Sequence, residues 1–208
     1  MIIGFYNYKD KYDFSKVSGV IHVGAHEGQE HDLYLQSFGD EIVSHWFEPN
    51  PRIFENLKAK LGDKNKTFLY ECALGSEEKL DRMWEELVTN GESSSLMKPK
   101  KISEIYTNLN FVEGPEVKVK TLDSFSIKDS NVLVLDVQGF ELEVLKGAEE
   151  TLKNVEHVFS EVNLEEHYEG CPSLKDLNEF LIPRGFWLRE NWWTDGSWGD
   201  CYWNRIYK

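Results

Sequence analysis

Short apolar runs rich in Val, Ile and Phe alternate along the chain with amphipathic stretches, a pattern typical of parallel strands covered by helices. The run from Asn131 to Asp136 has the most continuous apolar character, so we expect it at the centre of the sheet, where both faces are buried. The other runs with strand character cover 19–23, 42–47, 67–73, 116–122 and 156–162. The spacing of apolar residues predicts helices over 29–38, 51–61 and 141–153.

Two helices have clear boundary signals. Asn50 is suited to cap a helix, Pro51 fits its first position, and Gly62 ends it. Farther along, Ser173-Leu-Lys-Asp176 has the form of a capping box, and the helix that it opens ends at 183–185.

Other parts of the chain have less regular patterns. Residues 1–18 form a lead-in to the first strand, and residues 76–115 are predicted to be an irregular insertion or acceptor loop. Within it, the polar segment 93–101 is either a lid over a ligand or a flexible insertion. The extended segments 186–190 and 202–207 predict a C-terminal β-hairpin.

Composition narrows the class of protein. A chain of 208 residues and 24.3 kDa is expected to form one domain over 1–208. Its net charge of −14 and pI near 4.9 argue against a nucleic acid partner, which is bound through phosphate neutralisation. No stretch approaches the roughly 20 apolar residues of a membrane span, and the three cysteines lie far apart. We therefore expect a cytoplasmic protein without a membrane span.

Polar residues follow the first two predicted strands, at the sheet edge where open α/β proteins bind ligands. After the first strand, Gly24 and Gly28 let the backbone turn tightly and approach a ligand, although the loop lacks the full Gly-x-Gly-x-x-Gly of dinucleotide sites. Glu48 follows the second strand, twenty residues after Gly28, which is the rough spacing at which an acid binds ribose hydroxyls. A carboxylate accepts hydrogen bonds from both hydroxyls of a cis-diol, so Glu48 indicates an adenosine-type ligand; the alternative is an exposed turn glutamate.

The third predicted strand ends in small or apolar residues, and two later strands end in acids. Ala73 and Leu74 end the third predicted strand and are suited to lie flat against an adenine ring. Asp136 and Glu161 end two adjacent strands, and a charge that follows an apolar run needs a partner. The alternative for Asp136 is that it caps the next helix. We take the two acids as a candidate reaction centre.

These residues, taken in order, resemble the FkbM family of S-adenosylmethionine-dependent O-methyltransferases. The resemblance covers about residues 19–165 and is most specific in its last segment. The segments that carry it are His22-Val-Gly-Ala-His-Glu-Gly-Gln-Glu30, Phe47-Glu-Pro-Asn-Pro51, Ala73-Leu-Gly75, Thr121-Leu-Asp-Ser-Phe125 and Leu135-Asp-Val-Gln-Gly-Phe-Glu-Leu-Glu-Val-Leu-Lys-Gly-Ala148. It implies a Rossmann-like class I methyltransferase fold, an α/β protein with a mostly parallel sheet, helices on both faces and a C-terminal antiparallel β-hairpin. It also implies S-adenosyl-L-methionine as cofactor and a sugar or glycan hydroxyl as methyl acceptor.

The resemblance assigns roles by position. The glycine turn would approach the cofactor closely, Glu48 would hold the ribose, and Ala73 and Leu74 would face the adenine. The implied cofactor-binding residues are His22, Gly24, Ala25, His26, Gly28, Glu30, Glu48, Pro49, Ala73, Leu74, Asp136 and Gln138. Two of them depart from the family pattern, since His22 stands where an acid is commoner and Gln138 where Glu is commoner.

Asp136 and Glu161 are candidate catalytic bases, because a sugar hydroxyl is a poor nucleophile until its proton is removed. His167, just beyond the strand that ends near Glu161, is a further candidate base or else a solvated loop histidine. In the alternative, Asp136, Glu161 and Asn163 would hold a divalent cation, Mg²⁺ or Mn²⁺, through oxygen ligands. The sequence does not choose between a base and a metal.

Two other classes of function remain open from the sequence. One is a dinucleotide-dependent oxidoreductase or epimerase that modifies sugars, against which the incomplete glycine loop counts. The other is a carbohydrate-binding module without catalysis, suggested by Trp192, Trp193 and Trp198, which would stack on sugar faces or else close the core. In such a module the acids at the sheet edge would have no evident purpose.

Overall fold

The computed structural model describes residues 11–194 and 196–206. These residues contain ten strands: β1 (Gly19–Val23), β2 (Val43–Phe47), β3 (Thr67–Tyr70), β4 (Ala73–Leu74), β5 (Lys79–Glu86), β6 (Phe111–Lys120), β7 (Val132–Leu135), β8 (His157–Asn163), β9 (Phe186–Thr194) and β10 (Trp198–Arg205). They also contain five α-helices: α1 (His31–Phe38), α2 (Pro51–Leu61), α3 (Lys101–Ile105), α4 (Glu141–Lys146) and α5 (Leu174–Leu181). Residues 1–10 of the predicted lead-in and residue 207 of the predicted hairpin lie outside the described residues.

Seven of these strands form the main sheet, in the order β3-β2-β1-β7-β8-β10-β9. The first five in that order are parallel, and β10 is antiparallel to both of its neighbours. Ile21 on β1 pairs with His45 on β2 and with Leu133 on β7, so β1 and β7 occupy the middle of the sheet. The predicted mostly parallel sheet, its apolar central strand and the C-terminal antiparallel hairpin are confirmed.

The main sheet is buried on both faces, because successive side chains along each strand point to opposite sides. Ile21 and Leu133 face one apolar cluster, to which α4 and α5 contribute their apolar residues. Val20 and Val132 face a second cluster, which α1 and α2 complete on the other side. Helices therefore cover both faces of the sheet, as predicted, and the polar residues of the strands are left at their ends.

Residues 67–73 do not form the single strand that the sequence predicts. The chain turns after Tyr70, where the Cys72 N–H donates a hydrogen bond to the Tyr70 carbonyl at 3.1 Å. β3 stays in the main sheet, whereas β4 pairs in parallel with β6 in a second sheet of order β4-β6-β5. The turn places the buried side chains of Ala73 and Leu74 beside the main sheet's edge.

The region 76–115 is more regular than the sequence predicts. β5 pairs antiparallel with β6, and the short helix α3 lies between them in the chain. Met83 is the one buried apolar side chain of β5, so this strand lacks the apolar alternation that identifies strands in sequence. β6 begins at Phe111, five residues before the predicted start at 116.

The helix predicted over 141–153 is two shorter elements. α4 ends at Lys146, and a 3₁₀ turn covers Thr151–Lys153. Between them, a Cβ on Gly147 would lie 2.0 Å from the carbonyl oxygen of Gly75, so close backbone packing requires glycine here. The apolar spacing continues across the break, which is why periodicity alone did not reveal it.

The helix starts predicted from capping residues are confirmed. The Asn50 side chain accepts hydrogen bonds from two backbone N–H groups in the first turn of α2. Ser173 and Asp176 exchange both hydrogen bonds of a capping box at the start of α5. α1 begins at His31, two residues later than predicted, after Gly28 with its positive φ of 68°.

Gly24 provides a test of how closely β1 packs against the end of β7. Its φ is +82°, and a Cβ there would lie 1.8 Å from the Asp136 carbonyl oxygen. Gly39 has a φ of +96°, but a Cβ there would meet no atom within 4 Å. We predict that Gly39→Ala costs about 1–3 kcal/mol of backbone strain, and that Gly24→Ala costs several kcal/mol more because the strand end must move.

Urea unfolding of the two variants measures this difference. Equal losses of unfolding free energy would contradict the close approach of Gly24 to Asp136.

Candidate active site

A cavity of about 670 Å³ opens at the carboxyl ends of β1, β2, β7 and β8, the edge where open α/β sheets bind ligands. The predicted site residues on its wall are His22, Gly24, Ala25, His26, Glu30, Glu48, Pro49, Ala73, Leu74, Asp136, Gln138, Glu161 and His167. The structure brings these residues together around one space. Gly28 and Asn163 do not lie on this wall.

The two glycines of the first loop have different roles. Gly24 lies on the cavity wall, and its missing Cβ makes room for the Asp136 carbonyl. Gly28 was expected to approach a cofactor, but a Cβ there would meet Leu57 and Leu61 at 2.9 and 2.7 Å. Gly28 therefore allows α2 to pack against the loop.

His22 lies at the base of the cavity as a neutral side chain. Its Nδ1 is 2.7 Å from the Tyr34 hydroxyl, and its ring stacks on Trp46 with centroids 4.9 Å apart. Burial lowers the pKa of His22, although Glu30 and Asp136 oppose that effect. Burial raises the pKa of Tyr34 well above its usual value, so Tyr34 keeps its proton beside the neutral His22 ring. His22 stands where an acid is commoner in the family pattern, and the structure shows a buried neutral ring at this position.

Glu48 is held at the end of β2 by two backbone groups. Its Oε2 accepts from the His26 N–H at 2.9 Å, and its Oε1 accepts from the Asn50 N–H at 2.7 Å. Each oxygen keeps further acceptor capacity, because a carboxylate has about four lone-pair sites. Burial raises the pKa of Glu48 to about 7, against the lowering effect of the two backbone hydrogen bonds. The exposed-turn alternative is wrong, since Glu48 is 6% exposed.

A strap, residues 89–97, forms part of the cavity wall, and Asn90 attaches it to the loops after β1 and β2. The Asn90 carbonyl lies 3.1 Å from His26 Nε2, and its side chain donates to Glu27 and accepts from Arg52, at 2.8 and 2.6 Å. Asn90 and Gly91 both have positive φ, 59° and 92°. The dipeptide Asn-Gly is a turn signal, which is the sequence feature that marks this fastening point.

The two acids of the predicted reaction centre are joined by Gln138. Its Nε2 donates to Asp136 Oδ1 at 2.9 Å and to Glu161 Oε2 at 3.2 Å. Its Oε1 lies 3.0 Å from the Tyr168 hydroxyl, and the carboxylates fix the orientation of the amide because an ionised carboxylate only accepts hydrogen bonds. Ser95 of the strap donates to the Gln138 carbonyl at 2.7 Å. One amide therefore holds both carboxylates within hydrogen-bond reach of a single nitrogen.

Burial raises the pKa of Glu161 well above its usual value, and three neighbouring acids add to the shift. Asp136 contributes most of that electrostatic effect, followed by Glu141 and then Asp200, which pairs with Glu161 across β8 and β10. Sequence reasoning missed Glu141 and Asp200. Asp200 lies on an antiparallel strand, so its place beside Glu161 depends on a strand pairing that no local motif announces.

Glu141 has a structural position at the start of α4. Its Oε1 accepts from the backbone N–H of Val137 at 3.3 Å and of Gly139 at 3.1 Å, which stabilises the loop that carries Gln138. Burial raises the pKa of Glu141 to about 7. The side chain therefore shapes the loop beneath the cavity.

The cavity wall changes character from one side to the other. Near Glu48 it is apolar, with Cys72, Ala73, Leu74 and Met83 on it. Beyond Glu161 it is aromatic, with Tyr106 and Trp198 on it. Of the three tryptophans considered for stacking, Trp198 reaches the cavity, Trp192 packs against the second core cluster, and Trp193 is 38% exposed.

The sequence model described as the methyltransferase FkbM domain matches residues 22–188. The chain belongs to the FkbM methyltransferase family. The chain is accordingly a SAM-dependent methyltransferase, and the dinucleotide-enzyme and carbohydrate-binding-module alternatives are set aside.

This FkbM methyltransferase is similar to several known proteins. The 2-O-methyltransferase NoeI of Sinorhizobium fredii is 25% identical to it over 176 residues, 78% of this chain and 70% of the relative. The solved methyltransferase FkbM from Methylobacillus flagellatus superposes with a TM-score of 0.62 at 13% identity, covering 96% of this chain and 46% of that chain. This chain thus spans less than half the length of that solved protein.

A second solved structure supports the same fold. The magnesium protoporphyrin IX methyltransferase from Synechocystis, solved with bound SAM, has a TM-score of 0.51 at 9% identity and covers 91% of this chain and 71% of that chain. At these identities the superpositions establish a class I methyltransferase fold. No helix of this FkbM methyltransferase, within the residues described, is long and apolar enough to cross a membrane.

The residues of this FkbM methyltransferase do not fit the predicted alternative of a divalent cation. The donor N–H group of Gln138 lies between Asp136 and Glu161, where a cation would need to bind both carboxylates. Asn163, the third proposed ligand, does not lie on the cavity wall. The described part of the chain contains no group of three His, Cys, Asp or Glu side chains arranged to hold a metal ion.

The raised pKa of Glu141 predicts how the free energy of unfolding changes with pH. Its pKa of about 7 in the folded protein exceeds its ordinary value of 4.5, so the unfolded chain loses this proton at lower pH than the folded one. The proton that Glu141 binds in the folded protein therefore adds to the free energy of unfolding below about pH 4.5, and this contribution is lost as the pH rises through about 7. Because glutamine does not titrate, we predict that the Glu141→Gln variant lacks this loss. Above pH 7 the variant should be up to about 3 kcal/mol more stable than wild type.

Urea unfolding at pH 5 and pH 8 measures the effect. Glu77→Gln, at a side chain that is 72% exposed, is the control and should leave the pH dependence unchanged. A pH slope of Glu141→Gln equal to that of wild type would contradict the assignment.

Proposed function

We propose that this methyltransferase transfers the methyl group of S-adenosyl-L-methionine to a hydroxyl of a sugar or glycan. The observation that carries the proposal is the pair of acids Asp136 and the buried Glu161, which Gln138 joins between an apolar end and an aromatic end of one cavity. The 2-O-methyltransferase relative supports oxygen as the acceptor atom. The substrate of the whole protein is part of this proposal.

The cofactor would lie along the edge of the sheet from β2 to β7. Glu48 has the acceptor capacity to receive both ribose hydroxyls, and Ala73 and Leu74 offer an apolar surface to the adenine. The methionine end would contact the wall formed by His22, Gly24, Ala25, His26 and Glu30. In this order the methyl group would lie near Asp136 and Gln138 on the cavity wall.

S-adenosyl-L-methionine supplies a methyl group on a positively charged sulfur, which an acceptor oxygen displaces in line. The protein has to align the acceptor oxygen with that bond and receive its proton. The Glu161 carboxylate would receive the hydroxyl proton of the acceptor as its oxygen takes the methyl group. The raised pKa of Glu161 makes it a stronger base than an exposed glutamate, and Gln138 keeps it beside Asp136. His167, also on the wall, is the second candidate base.

Glu48 provides the direct test of the cofactor site. We predict that Glu48→Gln weakens the binding of S-adenosylhomocysteine at least about tenfold, because one acceptor oxygen becomes an N–H donor that opposes the ribose or a backbone N–H. Isothermal titration calorimetry measures the affinity. Glu55→Gln on the exposed side of α2 is the matched control and should bind as wild type does. Unchanged affinity of Glu48→Gln would refute the ribose assignment.

Glu161 provides the test of proton transfer. We predict that wild-type kcat rises with pH through the raised pKa of Glu161, since the base must be deprotonated to accept a proton. Glu161→Gln should lower kcat by about 10²–10⁴-fold and remove that rise, while S-adenosylhomocysteine affinity stays unchanged. Transfer of labelled methyl to oligosaccharide acceptors measures both. A variant with the wild-type rate and pH profile would exclude Glu161 and direct the same experiment to His167.

A further inference from the structure

Glu30 is a buried acid on the cavity wall for which the protein supplies no partner. It directly precedes α1 and is 7% exposed. Among the described residues, its carboxylate has neither a hydrogen-bond donor nor an ion-pair partner, and no lysine or arginine lies on the cavity wall. A buried charge without a partner is costly, so we expect a bound ligand to provide one.

The position of Glu30 at the start of α1 does not explain its burial. Residues at such a position commonly cap the helix by accepting a hydrogen bond from a backbone N–H of its first turn. Glu30 has φ −81° and ψ −4°, which is helical rather than the extended conformation of a capping residue, and its side chain forms no capping hydrogen bond. The helix dipole favours a negative charge here, but it does so equally at the neighbouring Asp32, which is exposed. The burial of Glu30 therefore requires another explanation.

His22 leaves the negative charge at this part of the wall to Glu30. An acid is commoner at position 22 in the family pattern, whereas the His22 ring is neutral, stacks on Trp46 and lies 2.7 Å from the Tyr34 hydroxyl. Burial lowers the pKa of His22, and the nearby carboxylates of Glu30 and then Asp136 oppose this effect. Glu30 therefore lies close enough to His22 to provide, from the start of α1, the charge that β1 lacks.

We propose that Glu30 binds the α-ammonium group of S-adenosyl-L-methionine, an assignment that rests on the proposed function of the cavity. The cofactor carries two positive charges, one on its sulfur and one on its α-amino nitrogen. The proposed placement puts the sulfur near Asp136 and the methionine end along the wall that includes Glu30. The other buried acids of the wall, Glu48 and Glu161, are assigned to the ribose and to the acceptor proton. An ammonium group has three N–H donors, so it would give the Glu30 carboxylate the charge-assisted hydrogen bonds that the protein does not supply.

The assignment predicts how the enzyme distinguishes two ligands that differ in one group. The analogue 5′-S-(3-carboxypropyl)-5′-thioadenosine keeps the adenosine, sulfur and carboxylate of S-adenosylhomocysteine and lacks only the α-amino group. With this analogue bound, Glu30 would remain without a partner. Wild type should therefore bind S-adenosylhomocysteine at least about tenfold more tightly than the analogue.

Isothermal titration calorimetry of both ligands with wild type and Glu30→Gln tests the assignment. Glu30→Gln should bind S-adenosylhomocysteine at least about tenfold more weakly than wild type, and the analogue with unchanged or higher affinity, so that its preference is lost. Glu30→Asp, which keeps the charge on a shorter side chain, should retain part of the preference. Asp32→Asn is the matched control, because it removes an exposed charge from the first turn of the same helix, outside the cavity wall. It should bind both ligands as wild type does.

Urea unfolding without ligand separates a ligand-binding carboxylate from a structural one. Because Glu30→Gln removes a buried charge that has no partner, the variant should unfold at the same or a higher urea concentration than wild type. A variant that unfolds at lower urea concentration and loses affinity for both ligands equally would overturn the proposal, since the carboxylate would then serve the structure of the loop.

The outcomes also separate this assignment from the proposed function. If wild type binds S-adenosylhomocysteine and Glu30→Gln keeps the wild-type ratio of the two affinities, the role of Glu30 is wrong and the assignment of Glu48 to the ribose is unaffected. If wild type binds neither ligand, the proposed placement of the cofactor fails together with this assignment. Methyl transfer to oligosaccharides tests the acceptor independently of both.

Discussion

The burial of carboxylates at one edge of the sheet is the constraint on which the site depends. Glu48, Asp136 and Glu161 lie on a cavity wall whose described residues include no lysine or arginine. The charges of the buried Glu48 and Glu161 must therefore be stabilised by hydrogen-bond donors or removed by protonation. Backbone N–H groups serve Glu48, and the Gln138 amide serves the other two. The raised pKa values of Glu48 and Glu161 follow from this incomplete compensation.

The cover of the cavity and its acid pair are joined through the loop that carries Gln138. Ser95 of the strap donates to the Gln138 carbonyl, while the Tyr168 hydroxyl contacts both the Ser93 carbonyl and the Gln138 side chain. Opening the strap at these contacts would remove hydrogen bonds from the residue that positions both acids. The strap and the amide that joins the two acids are thus parts of one hydrogen-bond network.

The sequence predicted the main sheet well because its strands are apolar on both faces, as the run from Asn131 to Asp136 illustrates. It placed Glu48, Asp136 and Glu161 at this edge because the first two directly follow such strands, Glu161 lies near the end of β8, and the ends of parallel strands meet at one edge. It could not predict β5, whose residues are mostly polar, nor the turn that moves Ala73 into a second sheet. These features depend on tertiary pairing, which leaves no periodic pattern in the chain.

Gln138 shows how one side chain can select the chemistry of such a site. Its N–H group donates to both carboxylates, so the two acids remain together without a cation between them. A glutamate at this position would add a third acidic group to the cluster and, when ionised, would offer no donor, so the cluster would need an additional proton or a bound cation. The amide therefore holds Glu161 beside Asp136 without a cation, in surroundings that raise the pKa of Glu161. Because an ionised carboxylate only accepts hydrogen bonds, the acids themselves determine that the NH2 group of the amide faces them, and its oxygen is left facing the Tyr168 hydroxyl.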